Sequence, residues 1–265
     1  MSDFDLLLFH RDLTVSTQGL DAGAAGVIVD LESRGKQKRQ LGFDTEINSH
    51  TVKDLAALRR LTKGHLLCRI SQPDPDDREI GAVIDAGADE IIVPMLTDAA
   101  QIERLLRKVD GACQIMAMIE TQAATVEIEK IAALPVDRIY VGLNDLQIDR
   151  GTRTIFAPLA DGLMQGLRAR CKGRAFGFGG LTLPGYGDPL PSRSFYGELA
   201  RLDCRFTFLR RSFYRDLNGM DLAEALHIMQ ANISRYRNRS ADQSAQDTAE
   251  TVSAIMSLEG ARCVG

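Results

Sequence analysis

Apolar residues fall along this chain in short runs rich in β-branched side chains, each followed by a longer stretch where they recur every three to four positions. The runs are DLLLF (5–9), GVIVD (26–30), LLCRI (66–70), EIIVP (90–94), QIMAM (114–118), RIYVG (138–142), AFGFG (175–179) and RFTFL (205–209). Between them, TVKDLAALRRL, DDREIGAVIDAGA, TDAAQIERLLRKV and QAATVEIEKIAAL carry the spacing of amphipathic helices. Strand and helix in alternation predict βα units around a parallel sheet. A doubly wound open sheet shares that alternation, but eight strands suffice to close a barrel. The expected fold is therefore α/β, a (β/α)8 TIM barrel with a C-terminal helical extension. Two junctions support it: DAGAAGVIVD and DAGADEIIVP each end a helix on Ala-Gly-Ala and turn directly into a strand, with Gly at the left-handed cap.

Three regions break the repeat. Residues 32–50, ESRGKQKRQLGFDTEINSH, are too polar and too long for an ordinary βα loop. GFGGLTLPGYGDPLPS (177–192) is rich in Gly and Pro and reads as an active-site loop after the seventh strand. The barrel is expected to occupy residues 1–238. Residues 239–265 read as a polar linker ending in a short amphipathic helix, TAETVSAIMSLEG, able to dock on a neighbouring subunit.

Composition narrows the function classes. Hydrophobic residues at 45% and charged residues at 26% are ordinary for a globular chain of 265 residues. No stretch approaches the ~20 apolar residues of a membrane span, and the start, MSDFDLLLFHRD, is acidic where a signal peptide is basic. A cytoplasmic protein is expected, with neither membrane nor nucleic acid as partner, because the net charge is −4 and the basic residues are scattered. Cys68, Cys113, Cys171, Cys204 and Cys263 include no CxxC pair and read as packing residues.

Candidate chemistry clusters where barrel active sites lie, at the C-terminal ends of the strands. Asp30 and Glu32 follow the second run, Arg69 lies within the third, Glu120 follows the fifth and Asp145 the sixth. One βα repeat separates Glu120 from Asp145, which sets both carboxylates at one mouth. Two hard oxygen donors, with water and substrate completing the sphere, suit Mg2+ or Mn2+. Spacing alone leaves open a second reading, in which Glu120 caps the helix that follows it and Asp145 is a loop carboxylate satisfied by backbone amides. Arg69, flanked by Leu66, Leu67, Cys68 and Ile70, needs an anion, which is either Asp30 or Glu32 or a substrate group.

The segment MIETQAATVEIEKIAALPVDRIYVGLNDL (118–146) resembles the metal-binding half of the HpcH/HpaI aldolase and citrate lyase β-subunit family, of the phosphoenolpyruvate/pyruvate superfamily. GVIVDLE (26–32), LLCRIS (66–71) and GADEIIVPML (87–96) are similar as well, in order over roughly the first 150 residues. The resemblance implies Glu120 and Asp145 as metal ligands and Arg69 as the group binding the carboxylate and enolate oxygen of a pyruvate-like 2-oxo acid. It also implies backbone N–H groups of Gly142, Leu143 and Asn144 around the substrate carboxylate, and a homo-oligomer. A Schiff-base route is disfavoured, because Lys36, Lys38, Lys53, Lys63, Lys108, Lys130 and Lys172 all lie outside the strand runs.

The chain also departs from that family. The histidine that follows the DxE acid is replaced by Ser33, and the family's tryptophan is missing from a chain with no Trp. His10 is a candidate substitute acid/base, or else a histidine merely hydrogen-bonded at a strand end. His50 is a second candidate, whereas His65 and His227 read as structural or exposed. The loop RGKQKRQ (34–40) reads as solvated or as binding a phosphate or carboxylate of a larger substrate or coenzyme A. Arg210, Arg211 and Arg215 close the eighth strand, and one of them at the mouth implies an acidic second substrate portion. The leading expectation is a metal-dependent carbon–carbon lyase of the aldolase type. The alternatives are a coenzyme A-dependent citryl or malyl lyase or synthase, and a non-catalytic metal and metabolite binder.

Overall fold

A computed structural model describes residues 4–10, 12–32, 50–171 and 173–260. Its eight strands are β1 Asp5–Phe9, β2 Gly26–Asp30, β3 Leu66–Arg69, β4 Glu90–Val93, β5 Gln114–Ile119, β6 Arg138–Val141, β7 Ala175–Leu181 and β8 Phe206–Leu209. Every neighbouring pair is parallel, and β8 returns to β1 to close the barrel. The predicted runs match these strands to within two residues at either end, because continuous apolar runs are what strands covered on both faces require. Ser33, the 34–40 loop and Cys263 lie outside the described residues.

Alternation along the strands sorts side chains into two cores. Leu7, Ile28, Leu67, Ile92, Met116, Met118, Tyr140, Phe206 and Phe208 form the plug inside the barrel. The opposite phase, including Leu6, Leu8, Val27, Val29, Cys68 and Val93, packs outward beneath the helices. At the N-terminal end the interior is closed by Glu90, whose Oε2 lies 3.0 Å from His65 Nε2 and 3.5 Å from Arg138 Nε. Charge at that end of a barrel serves stability rather than catalysis.

The helices that frame the site are α1 Leu13–Asp21, α2 Val52–Leu61, α3 Asp77–Asp85, α4 Ala99–Val109, α5 Gln122–Val126, α6 Ile128–Ala133 and α7 Leu143–Arg150. After them come α8 Ala157–Ala160, α9 Leu163–Arg170, α10 Ser192–Arg201, α11 Ser212–Asp216, α12 Leu222–Arg237 and α13 Ala241–Gly260. The Ala-Gly-Ala junctions behave as expected: Gly23 and Gly87 follow α1 and α3 with φ of 102° and 92°.

The C-terminal segment differs from the expected linker. It is helical from Ala241, started by reciprocal bonds between Ser240 and Gln243 that form a capping box. Helix α13 packs on α8 and α10 of its own barrel. Ile255 is fully buried there, Thr248 Oγ1 donates to Glu198 Oε1 at 2.9 Å, and Thr154 N–H donates to Glu259 Oε1 at 2.8 Å. Its polar residues therefore mark the solvent side of a helix with a narrow apolar seam, not a loop. No helix among the described residues is long and apolar enough to cross a membrane.

Candidate active site

The inward phase of β2, β3 and β5 carries Asp30, Arg69 and Glu120 above the barrel plug. Register sets Asp30 directly beside Arg69. The guanidinium grips that carboxylate with the two parallel N–H groups of one edge, Nε to Oδ1 at 2.9 Å and Nη2 to Oδ2 at 2.7 Å. Its Nη1 lies 3.3 Å from Glu32 Oε2. Arg69 is thus anchored by Asp30 and Glu32, the protein partners the sequence offered for it. Burial works against the charged guanidinium, but Asp30, Glu32 and Glu120 outweigh it and hold its pKa above the usual arginine range.

Four buried carboxylates gather around Arg69: Asp30, Glu32, Glu120 and Asp145 are 0%, 1%, 2% and 8% exposed. Buried carboxylates that crowd one another are costly unless protons or cations neutralise them. Glu120 shows the strain most clearly. Burial, then the charges of Asp145 and Glu32, push its carboxyl up to about 8, against the opposing pull of Arg69 and the Met95 N–H. Among the described residues no three His, Cys, Asp or Glu side chains form a metal cage by themselves. A pair of hard oxygen donors that leaves most positions to water and substrate fits Mg2+ or Mn2+, which bind in that manner.

Local structure explains how the pair is held. Glu120 does not cap the helix after it: Thr121 does, accepting from Ala124 N–H at 3.0 Å and donating to the Leu96 carbonyl at 2.5 Å. Glu120 is left to turn inward, where Oε1 accepts the Met95 N–H at 2.8 Å. Met95 is a non-glycine residue in the left-handed region, at φ 53°. That conformation costs on the order of 1 kcal/mol or more and aims the amide at Glu120. Nothing in the sequence flagged Met95, since its part is played by the backbone. Asp145 sits in the first turn of α7, whose N-cap is Gly142.

Gly142 differs from its expected part. Its N–H donates to the Ile119 carbonyl at 3.1 Å, so it is spent in the sheet and unable to hold a substrate carboxylate. Leu143 and Asn144 open α7, where amides have no partner within the helix, and no side chain caps them. What Gly142 supplies is room: a Cβ there would lie 2.6 Å from Glu120 Oε2 and 3.0 Å from Glu120 Cβ. Its φ of −84° suits any residue, so the close approach alone demands glycine. Gly142→Ala is expected to displace the Glu120 side chain and weaken Mn2+ binding at least about tenfold while circular dichroism stays unchanged. Unaltered Mn2+ affinity would show that Glu120 is not held there for an ion.

Beneath the carboxylates lies an aromatic floor. Tyr140 stacks on Phe208 with ring centres 3.7 Å apart, Phe9 meets Phe208 edge-on at 5.4 Å, and the Arg69 guanidinium lies 5.5 Å over Phe9. The Tyr140 hydroxyl donates to the Gly179 carbonyl, so the ring cannot turn. This floor excludes water from below.

The histidines divide. His10 accepts the Asp12 N–H on Nδ1 at 3.0 Å, and its ring meets Tyr214 edge-on at 4.6 Å. Its carbonyl accepts from Ser16 of α1, so it is built into the strand end beside α1 and α11. These contacts match the hydrogen-bonded strand-end reading and leave only Nε2 for any proton transfer. His50 is brought closer to the carboxylates: its Nδ1 accepts the Asp30 N–H at 3.1 Å. His65 belongs to the closed N-terminal end.

A search of the curated proteins finds no match. Among solved structures, an HpcH/HpaI aldolase from Desulfitobacterium hafniense DCB-2 superposes with a TM-score of 0.61 at 16% identity, covering 91% of this chain and 95% of that one. An HpcH/HpaI aldolase/citrate lyase family protein from Burkholderia cenocepacia J2315 gives 0.61 at 16%, with 85% and 94% covered. The citrate synthase SbnG gives 0.58 at 21%, again with 85% and 94% covered. These likenesses establish the fold. The family model for HpcH/HpaI aldolase/citrate lyase matches residues 22–156, which include Asp30, Glu32, Arg69, Glu120 and Asp145 but neither His10 nor Arg210. With half of the chain matched, and the matched half carrying the carboxylates and arginine of the mouth, this protein belongs to the HpcH/HpaI aldolase/citrate lyase family.

Proposed function

We propose that the protein is a metal-dependent carbon–carbon lyase of the aldolase type, acting on a pyruvate-like 2-oxo acid through an enolate. The observation that carries this reading is the convergence of the buried carboxylates of Glu120 and Asp145 at the barrel mouth, beside Arg69 and its partners Asp30 and Glu32. Glu120 and Asp145 would hold Mg2+ or Mn2+. Such an ion, when bound, polarises the keto and carboxylate oxygens of the substrate as a Lewis acid.

The remaining parts fall to the chain itself. Arg69, kept charged by Asp30 and aimed by its bidentate bond, stabilises negative charge as it develops on the keto oxygen. The Leu143 and Asn144 amides at the start of α7 lie where a carboxylate is favoured by the helix N-terminus. Phe9, Tyr140 and Phe208 keep water from the reacting face. His50, whose Nδ1 accepts the Asp30 N–H, is the histidine to which we assign proton exchange.

Incubation with Mg2+ and oxaloacetate or a 4-hydroxy-2-oxo acid should release pyruvate, and chelation of the metal should stop it. Absence of turnover with each of these, together with inert coenzyme A thioesters, would remove the enzyme reading altogether.

A further inference from the structure

We propose that Arg210 is an anion subsite at the barrel mouth, and that the part of the substrate distal to the 2-oxo acid head carries a carboxylate that it binds. This rests on the 2-oxo acid reading above and adds the charge of the second portion.

The position follows from strand phase. Phe206 and Phe208 of β8 point into the barrel, and Arg210 is next in that phase. The backbone keeps the ladder there, since Arg210 N–H donates to the Leu181 carbonyl at 2.9 Å. Arg210 therefore leaves the sheet at the same C-terminal rim as Asp30, Arg69 and Glu120, from β8, with β1 between it and the strand of Asp30. Two glycines make way for it. A Cβ at Gly180 would lie 3.1 Å from Arg210 Cβ, and one at Gly187 would lie 3.2 Å from Nη1. The side chain runs from the end of β8 along the loop between β7 and α10.

Its partners are what set it apart. Among the described residues no side-chain hydrogen bond or ion pair engages the Arg210 guanidinium. Asp216 is close enough to favour its charge, but that carboxylate already accepts Thr182 Oγ1 at 2.6 Å and Ser212 Oγ at 2.8 Å, with Arg215 Nε 3.5 Å away. Burial pulls the Arg210 pKa below the usual arginine range, with Asp216 and Asp188 opposing. Nearly every other arginine inside the fold has a carboxylate or carbonyl against it, as in Arg59 with Asp89 and Arg174 with three carbonyls. A half-buried planar cation left open at the mouth of an anion-handling site matches a carboxylate, which it can bind by two parallel bonds.

The probes are 2-oxoglutarate and 2-oxopentanoate, which share the 2-oxo acid head and chain length and differ by the terminal carboxylate. Calorimetric titration of the Mg2+-loaded protein should show 2-oxoglutarate binding at least about tenfold tighter, the margin expected of one charge-assisted pair. In Arg210→Met the two should bind within about threefold of each other, and Arg210→Lys should keep part of the preference. Equal affinities in the wild type overturn the subsite without any variant, and so does a preference that survives in Arg210→Met. A parallel loss of both ligands in Arg210→Met, with the preference intact, assigns Arg210 to loop support instead. If neither acid binds the wild type, the 2-oxo acid reading fails and the subsite falls with it.

Discussion

Glu120→Gln is expected to abolish Mn2+ binding and to lower kcat/KM by more than about 100-fold, with the barrel still folded. The amide keeps the shape and can still accept the Met95 N–H, so the loss isolates charge from packing. Asp145→Asn should behave alike. The same substitution should raise the melting temperature of the metal-free protein at pH 9, by on the order of 5 °C. The sign comes from the carboxyl being pushed up to about 8 from an ordinary value of 4.5. Between those values the folded protein holds a proton that the unfolded chain has released, so metal-free stability falls as pH rises and levels off above 8. Glutamine removes that penalty. For the wild type, a cation must displace the proton, so Mn2+ affinity should drop about tenfold per pH unit below 8. Mn2+ titrations followed by electron paramagnetic resonance at pH 6, 7, 8 and 9, with melting curves in chelator, test all of this. Tight Mn2+ binding by both amide variants would refute the assignment of the pair.

Arg69→Ala should be the most damaging single change to the fold among the site residues. It leaves Asp30 fully buried without the guanidinium that satisfies both its oxygens, a loss of about 3–5 kcal/mol. Chemical denaturation measures it. Arg69→Lys keeps the charge and should unfold much less readily, yet still lose about 100-fold in kcat, because an ammonium cannot bind Asp30 through two parallel bonds and still present further N–H groups to the substrate. Separation of the two variants is the informative result. Equal kinetics for Lys and Arg would reduce Arg69 to an internal ion pair.

These outcomes depend on how the mouth is assembled, and the sequence reached different parts of it unevenly. Strand runs such as GVIVD and RIYVG were legible because a residue's preference for an extended, doubly covered backbone is local. So were the Gly23 and Gly87 caps, since only glycine takes their φ cheaply. Glu120 and Asp145 were legible as a pair because one βα repeat returns the chain to the same rim. Opacity began wherever a contact spans the barrel. Arg69 had two possible kinds of partner until register set it against Asp30, 39 residues away. The Gly142 amide looked available until it was seen spent on Ile119, and the glycine itself proved to matter for its missing Cβ beside Glu120. Helix α13 looked like a linker because its apolar seam is narrow and finds its cover only on α8 and α10.

By itself, then, the sequence determined the eight-stranded α/β architecture, the rim on which the candidate site residues lie and the residue types that face it. Periodicity and capping act over a few neighbouring residues and need no knowledge of closure. Only the tertiary structure decided which charges meet, that Met95 offers its amide to Glu120, that His50 rather than His10 joins Asp30, and that no side chain among the described residues bonds the Arg210 guanidinium. Those are matters of register and of the volume left between side chains once the barrel closes, and both are set by the packing of all eight strands at once.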